Sequence, residues 1–249
     1  MRAMVFASRN AKEMTRDPLN LFFGLAFPLA LLVLFSAINS AIPPEANNPM
    51  FEPAKMAPGV AMFGTTFMAL YSGMLLAKDR TSSFLSRLFT SPMRSSDFIL
   101  GYTLPAVAFA ATQAVGTFAV AAFLGLPISL KTLLAVVSLM PIALMFIGIG
   151  LLCGSAMNDK AVSGVCGALL CNVAGWLSGV WIPIDLIGGA FRSVCRALPF
   201  YHAAETARLA ISGEFLGMIP HMLVVIAYSA VAYVAAVLVF RSRMHSDKA

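Results

Sequence analysis

One short stretch of the sequence holds a serine in a setting that could support nucleophilic chemistry. The residues GWLSG occupy positions 175–179. An intramembrane serine protease needs Gly-x-Ser-Gly together with a histidine on another span. Trp176 stands where that motif needs glycine, and His202, His221 and His245 lie at or beyond the ends of apolar runs. We therefore expect no catalytic Ser–His pair.

Other catalytic patterns do not occur in the sequence. It has no HExxH motif and no P-loop, so the chain is not expected to hydrolyse ATP by itself. The polar candidates inside apolar runs are Gln113 and Asn172, and neither is a nucleophile or a base. The four cysteines contain no CxxC pair and indicate neither zinc nor a disulfide framework. We predict a chain that is not an enzyme and binds no metal or cofactor of its own.

A basic, amphipathic stretch at 78–97, KDRTSSFLSRLFTSPMRSSD, suits contact with a partner. Its large apolar residues fall on one stripe of a short helix. They are Phe84, Leu85, Leu88 and Phe89. Arg80, Arg87 and Arg94 flank that stripe. Such a surface fits either a groove on a protein or the membrane interface, with its cations toward lipid phosphates.

The composition of the chain indicates a membrane protein. Of its 249 residues, 59% are apolar and 11% are charged, against about 25% charged in soluble domains. The apolar runs predict six transmembrane helices, at 19–42, 58–77, 99–126, 132–154, 161–182 and 221–240. We expect an all-α integral membrane protein in which residues 1–249 form a single transmembrane domain.

The positive charges predict how these spans are oriented. With the N-terminus inside, 12 of the 17 lysines and arginines fall in cytoplasmic segments, in agreement with the positive-inside rule. Both termini are therefore predicted to be cytoplasmic. The net charge of +6 then reflects topology, and no nucleic-acid partner is expected.

Residues 1–17 are predicted to form an interfacial helix. Wound as a helix, they place Arg2, Arg9, Lys12 and Arg16 on one side. The opposite side carries Met4, Ala7, Ala11 and Met14. A helix of this kind lies in the membrane surface with its basic face toward anionic headgroups.

The segment 183–220 is long for a loop and mostly apolar. It is interrupted by Pro183, Gly188, Gly189 and Pro199. Irregular backbone at membrane depth must be buried in protein or line a cavity. We favour short extracellular helices that re-enter the outer leaflet before the last span, over a flat surface loop.

The fifth predicted span carries a small residue at every fourth position. The row is Ser163, Gly167, Cys171, Gly175 and Gly179. Small residues at this spacing let two helices approach closely in lipid. The row predicts either a dimer interface or packing against another span of the same chain. A second, weaker pair is Gly150 and Gly154.

Three local motifs resemble those of the ABC-2 type transporter permeases, and are most similar to the drug- and antibiotic-exporting branch of the daunorubicin-exporter type. DRTSSFLSRLFTSPM (79–93) is similar to the family's stretch after the second span, although Ser83 replaces the usual glycine and Ser86 a common acid. SGVWIP (178–183) and LPFYHAAETARLAISGE (198–214) are similar to the motifs around the re-entrant segment. The resemblance covers nearly the whole chain.

The resemblance implies a permease subunit that depends on a separate ATPase. Two permeases, identical or paralogous, would pair above two ABC ATPase subunits, which hold the ATP and Mg. The segment 78–97 would be the coupling loop that docks on the ATPase. Its expected contact residues are Asp79, Arg80, Phe84, Leu85, Arg87, Leu88, Phe89 and Pro92.

The family further implies a transport path lined by the first, second and fifth spans. Our candidate lining residues are Phe63, Phe67, Asn172 and Trp176. A path without buried ions suits a hydrophobic or amphipathic cargo, exported across the cytoplasmic membrane of a bacterium. The alternatives are an ABC-2 permease for a lipid-linked polysaccharide, and a different membrane protein such as an intramembrane enzyme.

Overall fold

The computed structural model describes residues 2–43, 52–82 and 95–246. Every regular element in these ranges is a helix, as predicted for an all-α membrane protein. In chain order they are α1 (Arg2–Arg16), α2 (Pro18–Ala41), α3 (Pro53–Thr81), α4 (Ser95–Phe123), α5 (Leu130–Ala156), α6 (Asp159–Leu177), α7 (Ile184–Ile187), α8 (Gly189–Ala197), α9 (Pro199–Ser212) and α10 (Phe215–Ser246).

Six of these helices are long and apolar enough to cross a membrane. They are α2, α3, α4, α5, α6 and α10, which confirms the six predicted spans. The most enclosed is α3, with 78% of its apolar window buried, whereas α2 and α10 bury 17% and 22%. The bundle is therefore built around α3, which packs against α2, α4, α5, α6 and α9.

Two helices end earlier than the sequence indicated. α4 was predicted to reach residue 126, but it ends at Phe123 because Gly125 adopts a left-handed conformation with φ of 105°. α6 was predicted to reach residue 182, but it ends at Leu177, just before Gly179 with φ of 73°. Such backbone angles suit glycine and interrupt a helix. Gly125 and Gly179, which the sequence prediction had included within the spans, are thus the residues at which the helices stop.

Two spans contain a turn that is wider than an α-helical turn. Residues Phe22–Ala26 in α2 and Ser163–Leu170 in α6 are π-helical. A π-turn closes its hydrogen bonds over one more residue than an α-turn, and such turns occur mostly as local bulges. The side chains after each wide turn therefore point in directions that an α-helical pattern does not give.

The N-terminal helix α1 forms as predicted, but its faces are rotated. Its buried side is Phe6, Ala7, Asn10 and Met14, packed on α4. Met4, assigned to the apolar face, is 64% exposed. Arg9, assigned to the basic face, instead turns toward an acid on α3. The aromatic ring of Phe6 decides the orientation, because it packs edge-on against Phe98 and Tyr102.

Residues 183–214 form short helices with breaks where the sequence placed them, whereas residues 215–220 already belong to the long helix α10. Pro183 precedes α7, Gly188 with φ of 67° separates α7 from α8, and Pro199 begins α9. The helix α9 is embedded in the bundle against α3, α5 and α10. Its buried side is Pro199, Phe200, Ala203, Ala204, Thr206, Ala207 and Ala210.

The backbones of α3 and α5 lie in direct contact. A Cβ atom added at Gly73 would lie 2.6 Å from the carbonyl oxygen of Gly150. One added at Gly150 would collide with the backbone of Ala69, and one at Gly154 with the carbonyl of Gly73. Small residues permit this backbone contact. The contact adds van der Waals attraction between the two helices, which is a main driving force for helix association in lipid.

Changing Gly150 to Ala should loosen this contact. The new methyl group meets backbone atoms, which cannot rotate away, so we expect a loss of about 1–3 kcal/mol in the free energy of unfolding. The matched control is Gly164→Ala, since no atom lies within 4 Å of a Cβ there. Thermal unfolding of the purified variants in detergent measures the difference. Equal melting temperatures for the two variants would contradict the contact.

Candidate functional site

An aromatic groove lies where α2, α3 and α6 meet. Its volume is about 280 Å³. It is lined by Phe23 and Phe27 from α2, Phe63 and Phe67 from α3, Gly167, Cys171, Asn172 and Trp176 from α6, and Trp181 from the turn that follows. The groove therefore brings together all four residues that the sequence proposed for a transport path, on the three spans that were expected to supply them.

Ring contacts hold the floor of the aromatic groove in place. Phe67 stacks on Phe23 with centroids 5.8 Å apart and meets Phe63 edge-on at 5.6 Å. Phe63 in turn meets Trp181 edge-on at 5.0 Å. Each such pair adds about 0.5–1.5 kcal/mol beyond the area that it buries. The floor is thus a connected set of rings and not a row of independent side chains.

The other wall of the groove is exposed. Trp176 is 54% exposed, whereas Phe63 and Phe67 are 9% and 7% exposed. Asn172 is exposed beside it, and its Nδ2 donates to the carbonyl of Ala168 at 2.7 Å. The groove therefore opens at the outside of the chain between α2 and α6.

The chemistry of the aromatic groove is that of an apolar site with one amide. Among the described residues, none of the side chains that line it is charged. Sites for drug-sized ligands are mostly apolar and aromatic with a few polar groups that fix orientation, whereas a path for bare ions needs charged or carbonyl rings. The groove suits a hydrophobic or amphipathic molecule that offers a hydrogen-bonding group to Asn172.

Sequence reasoning missed three residues of the groove, Phe23, Phe27 and Trp181. Phe23 and Phe27 are four residues apart in the first span, which is the spacing of one helix face. That spacing was an available signal. No spacing signal indicated Trp181, because this residue reaches the groove only through the turn after Gly179.

The row of small residues on α6 packs mostly within the chain. Cys171 accepts a hydrogen bond from Thr66 at 3.4 Å. A Cβ at Gly167 would meet Leu70 on α3, and one at Gly175 would meet Trp181. Ser163 is exposed. Of the two uses predicted for this row, the structure shows close packing on α3, and a role in a dimer interface stays a prediction.

The serine of the GWLSG stretch takes part in the turn that ends α6. The Ser178 hydroxyl donates to the carbonyl of Gly175 at 3.0 Å and accepts from the amide of Val180 at 3.3 Å. Among the described residues, the rings of His202 and His221 are paired with each other, Nδ1 to Nδ1 at 2.8 Å. The surroundings of Ser178 are those of a structural hydroxyl.

A buried acid marks the far end of α3. Asp79 is 4% exposed. Its Oδ1 accepts from Nη2 of Arg9 at 3.0 Å, and its Oδ2 accepts from the hydroxyl of Tyr102 at 2.8 Å. Beside them, the Asn10 amide donates to the carbonyl of Gly101 at 3.1 Å. Asp79 thus ties α3 to α1 and α4, a link that nothing in the spacing of these residues indicated.

The neighbouring Arg80 ties the same end of α3 to α5. Its Nη1 donates to the carbonyl of Gly154 at 2.7 Å and, more weakly, to that of Met157 at 3.4 Å. Carbonyls near a helix C-terminus are the partners that a cation favours. The other expected coupling residues, Phe84, Leu85, Arg87, Leu88, Phe89 and Pro92, lie outside the described residues.

The motifs SGVWIP (178–183) and LPFYHAAETARLAISGE (198–214) meet in space. Arg208 of α9 donates through Nη2 to the carbonyl of Gly179, in the turn after α6. It also lies 3.5 Å from Glu205. The guanidinium therefore holds the embedded helix α9 against the end of a groove-lining helix.

The comparison with known families agrees with this arrangement. Residues 2–212 match the model of the ABC-2 type transporter family. This is most of the chain, so the protein belongs to the ABC-2 type transporters, and it is a multi-pass membrane component of an ABC transporter. A search of curated proteins finds no match.

Replacing Asp79 with Ala should destabilise the protein more than removing an exposed charge does. The change removes the buried carboxylate to which both Arg9 and Tyr102 donate, and leaving a buried donor such as the Tyr102 hydroxyl unsatisfied costs about 1–3 kcal/mol. The matched control is Glu13→Ala, because Glu13 meets the same Arg9 at 3.6 Å on the surface, where a pair contributes at most about 1 kcal/mol. Melting temperatures in detergent compare the two, and an equal fall would disprove the anchoring role.

Proposed function

We propose that this chain is the permease subunit of an ATP-binding-cassette exporter. It moves a hydrophobic or amphipathic small molecule, such as a drug, an antibiotic or a lipid-like compound, out across a bacterial cytoplasmic membrane. Two copies of a separate ABC ATPase, with ATP and Mg, drive the movement. Both termini and the segment 78–97 face the cytoplasm. Family membership supports the permease, and the aromatic groove supports the class of cargo.

The lining of the aromatic groove is the observation that supports the proposed class of cargo. In the part of the chain that the structure describes, six rings and one amide surround it, and no charged side chain does. Desolvating an ionic cargo there would leave its charge without a partner, which is costly. An apolar cargo instead gains about 25 cal/mol for each Å² that leaves water. The groove thus favours molecules with a large apolar surface, and a hydrogen bond to Asn172 would orient them.

A second permease would complete the path. The open side of the aromatic groove carries exposed apolar side chains, with Trp176 54%, Leu169 60% and Phe22 52% exposed. Across a two-fold axis, these faces of α2 and α6 would enclose the groove between two chains. An identical chain and a paralogue both fit, because the argument uses only the exposed faces of one chain.

The coupling segment supplies the contact with the ATPase. Phe84, Leu85, Leu88 and Phe89 form its apolar stripe, and each large side chain gains about 1.5–3 kcal/mol on burial. Arg87 can pair with acids beside that stripe. The segment also contains Asp79 and Arg80, which connect α3 to α1, α4 and α5. Movement of the docked segment would thereby reach the bundle.

Transport would follow as a shift between two populated states. ATP binding closes the two ATPases and brings the two coupling segments together. The spans then tilt as rigid bodies, and the groove changes from an inward- or membrane-open state to an outward-open one. Nucleotide drives this change because it binds the closed ATPases more tightly.

A lipid-linked polysaccharide is the second candidate cargo. The rings of Phe63, Phe67 and Trp176 also offer the flat apolar faces on which sugars pack. Stimulation of ATP hydrolysis separates the two candidates. Apolar drugs should raise the ATPase rate of the purified complex in lipid vesicles, and a response to glycolipids alone would favour the second cargo.

Trp176→Ala should impair transport without unfolding the protein. The residue is half exposed and lines the aromatic groove, so we expect a loss of roughly tenfold in drug-stimulated ATP hydrolysis and dye efflux, with little change in melting temperature. The matched control is Leu238→Ala on α10, which is 60% exposed and away from the groove. Unchanged efflux by the Trp176 variant would refute the path.

Leu88→Asp should uncouple ATP hydrolysis from transport. A charge in the apolar stripe opposes burial against the ATPase, so the permease should still insert while a co-expressed ATPase no longer co-purifies. The matched control is Ser86→Asp in the same segment, at a position where the related permeases often carry an acid. The measurements are the amount of ATPase that co-purifies with the permease and the vanadate-sensitive ATP hydrolysis of the eluate. Full transport by the Leu88 variant would reject docking through this stripe.

A further inference from the structure

A second cavity, separate from the aromatic groove, lies where α1 meets α2. Its volume is about 330 Å³. We name it the junction cavity. It is lined by Glu13, Met14, Arg16, Asp17, Pro18, Asn20, Tyr71, Met74, Leu75, Lys78 and Asp159. None of these residues belongs to the groove or to the family motifs' apolar stripe.

The junction cavity sits at the boundary of the membrane. Pro18 is the first residue of span α2, Lys78 lies in the last turn of span α3, and Asp159 is the first residue of span α6. Three span ends therefore surround one cavity, on the side where α1 lies. Lipid headgroups occupy this level of a bilayer.

Charges of both signs line the junction cavity. Arg16 and Lys78 contribute cations, and Glu13, Asp17 and Asp159 contribute carboxylates. A purely anionic ligand would meet three carboxylates, and a purely cationic one would meet two cations. A ligand that carries both charges a few ångströms apart satisfies both sets. This mixture indicates a zwitterionic headgroup.

The remaining lining residues fit the other parts of a lipid. Tyr71, Met74 and Leu75 form an apolar side that continues along α3, where an acyl chain can lie. Asn20 is 1% exposed, and its Nδ2 donates to the carbonyl of Met14 at 2.8 Å. Its Oδ1 accepts no hydrogen bond within the described residues.

We propose that the junction cavity binds a phospholipid with a phosphoethanolamine headgroup. The phosphate lies near Arg16 and Lys78, and the ammonium lies near Asp159 and the other carboxylates. A primary ammonium carries N–H groups that can donate to carboxylates. A choline headgroup has none and is held by aromatic cages, whereas this cavity contributes a single ring, that of Tyr71.

The test uses the full chain in detergent and native mass spectrometry after exposure to equal amounts of phosphatidylethanolamine, phosphatidylcholine and phosphatidylglycerol. We expect preferential retention of phosphatidylethanolamine. Lys78→Ala and Asp159→Asn should each weaken it by roughly tenfold, as the loss of one charge-assisted hydrogen bond implies. The matched control is Lys160→Ala, whose side chain is exposed next to Asp159 and does not line the cavity.

Three results would overturn the proposal. They are equal retention of phosphatidylcholine, a preference for phosphatidylglycerol alone, and the same loss in the Lys160 variant. Soluble glycerophosphoethanolamine distinguishes the source of the headgroup. Its failure to displace the lipid supports a membrane lipid, and full displacement would reassign the site to a free zwitterion. Should Lys78→Ala lower the melting temperature, Arg16→Ala tests the same phosphate contact from α1.

Discussion

The backbone contact between α3 and α5 is the constraint on which the rest of the structure depends. In lipid, apolar side chains gain little by leaving one apolar surface for another, so helices are held by close packing and hydrogen bonds. Gly73, Gly150 and Gly154 provide that packing where the backbones of α3 and α5 meet. With α3 fixed there, its two ends are placed for different tasks. One end carries Phe63 to the aromatic groove, and the other carries Asp79 into a network with α1 and α4.

Much of the fold could be predicted because lipid imposes strong rules on a sequence. Six apolar runs had to be helices, since any other backbone would leave polar groups unpaired in hydrocarbon. The breaks at Pro183, Gly188 and Pro199 were equally readable, because these residues disfavour continuing a helix. The path residues Phe63 and Trp176 came from family resemblance, and the structure brings them into one cavity.

The parts of the fold and site that could not be predicted depend on contacts that no local sequence pattern encodes. The ion pair of Arg9 with Asp79 joins residues 70 positions apart. A helical wheel of α1 alone instead predicts that Arg9 faces the lipid headgroups. The every-fourth row on α6 assumed a regular helix, but the π-helical segment Ser163–Leu170 widens its turns. As a result Ser163 is exposed while Cys171 is buried. Helix geometry that departs from 3.6 residues a turn defeats a prediction based on that period.

The tight glycine contact also gives α3 the mechanics of a lever. Gly73 lies six residues from Asp79 and ten residues from Phe63, which is about 9 Å and about 15 Å along the axis at 1.5 Å for each residue. If the helix pivots where it is held most closely, the two arms differ in length. A sideways push at Asp79 then swings Phe63 in the opposite direction through a distance about 1.7 times as great. A small displacement of Asp79 is thereby enlarged at the floor of the aromatic groove.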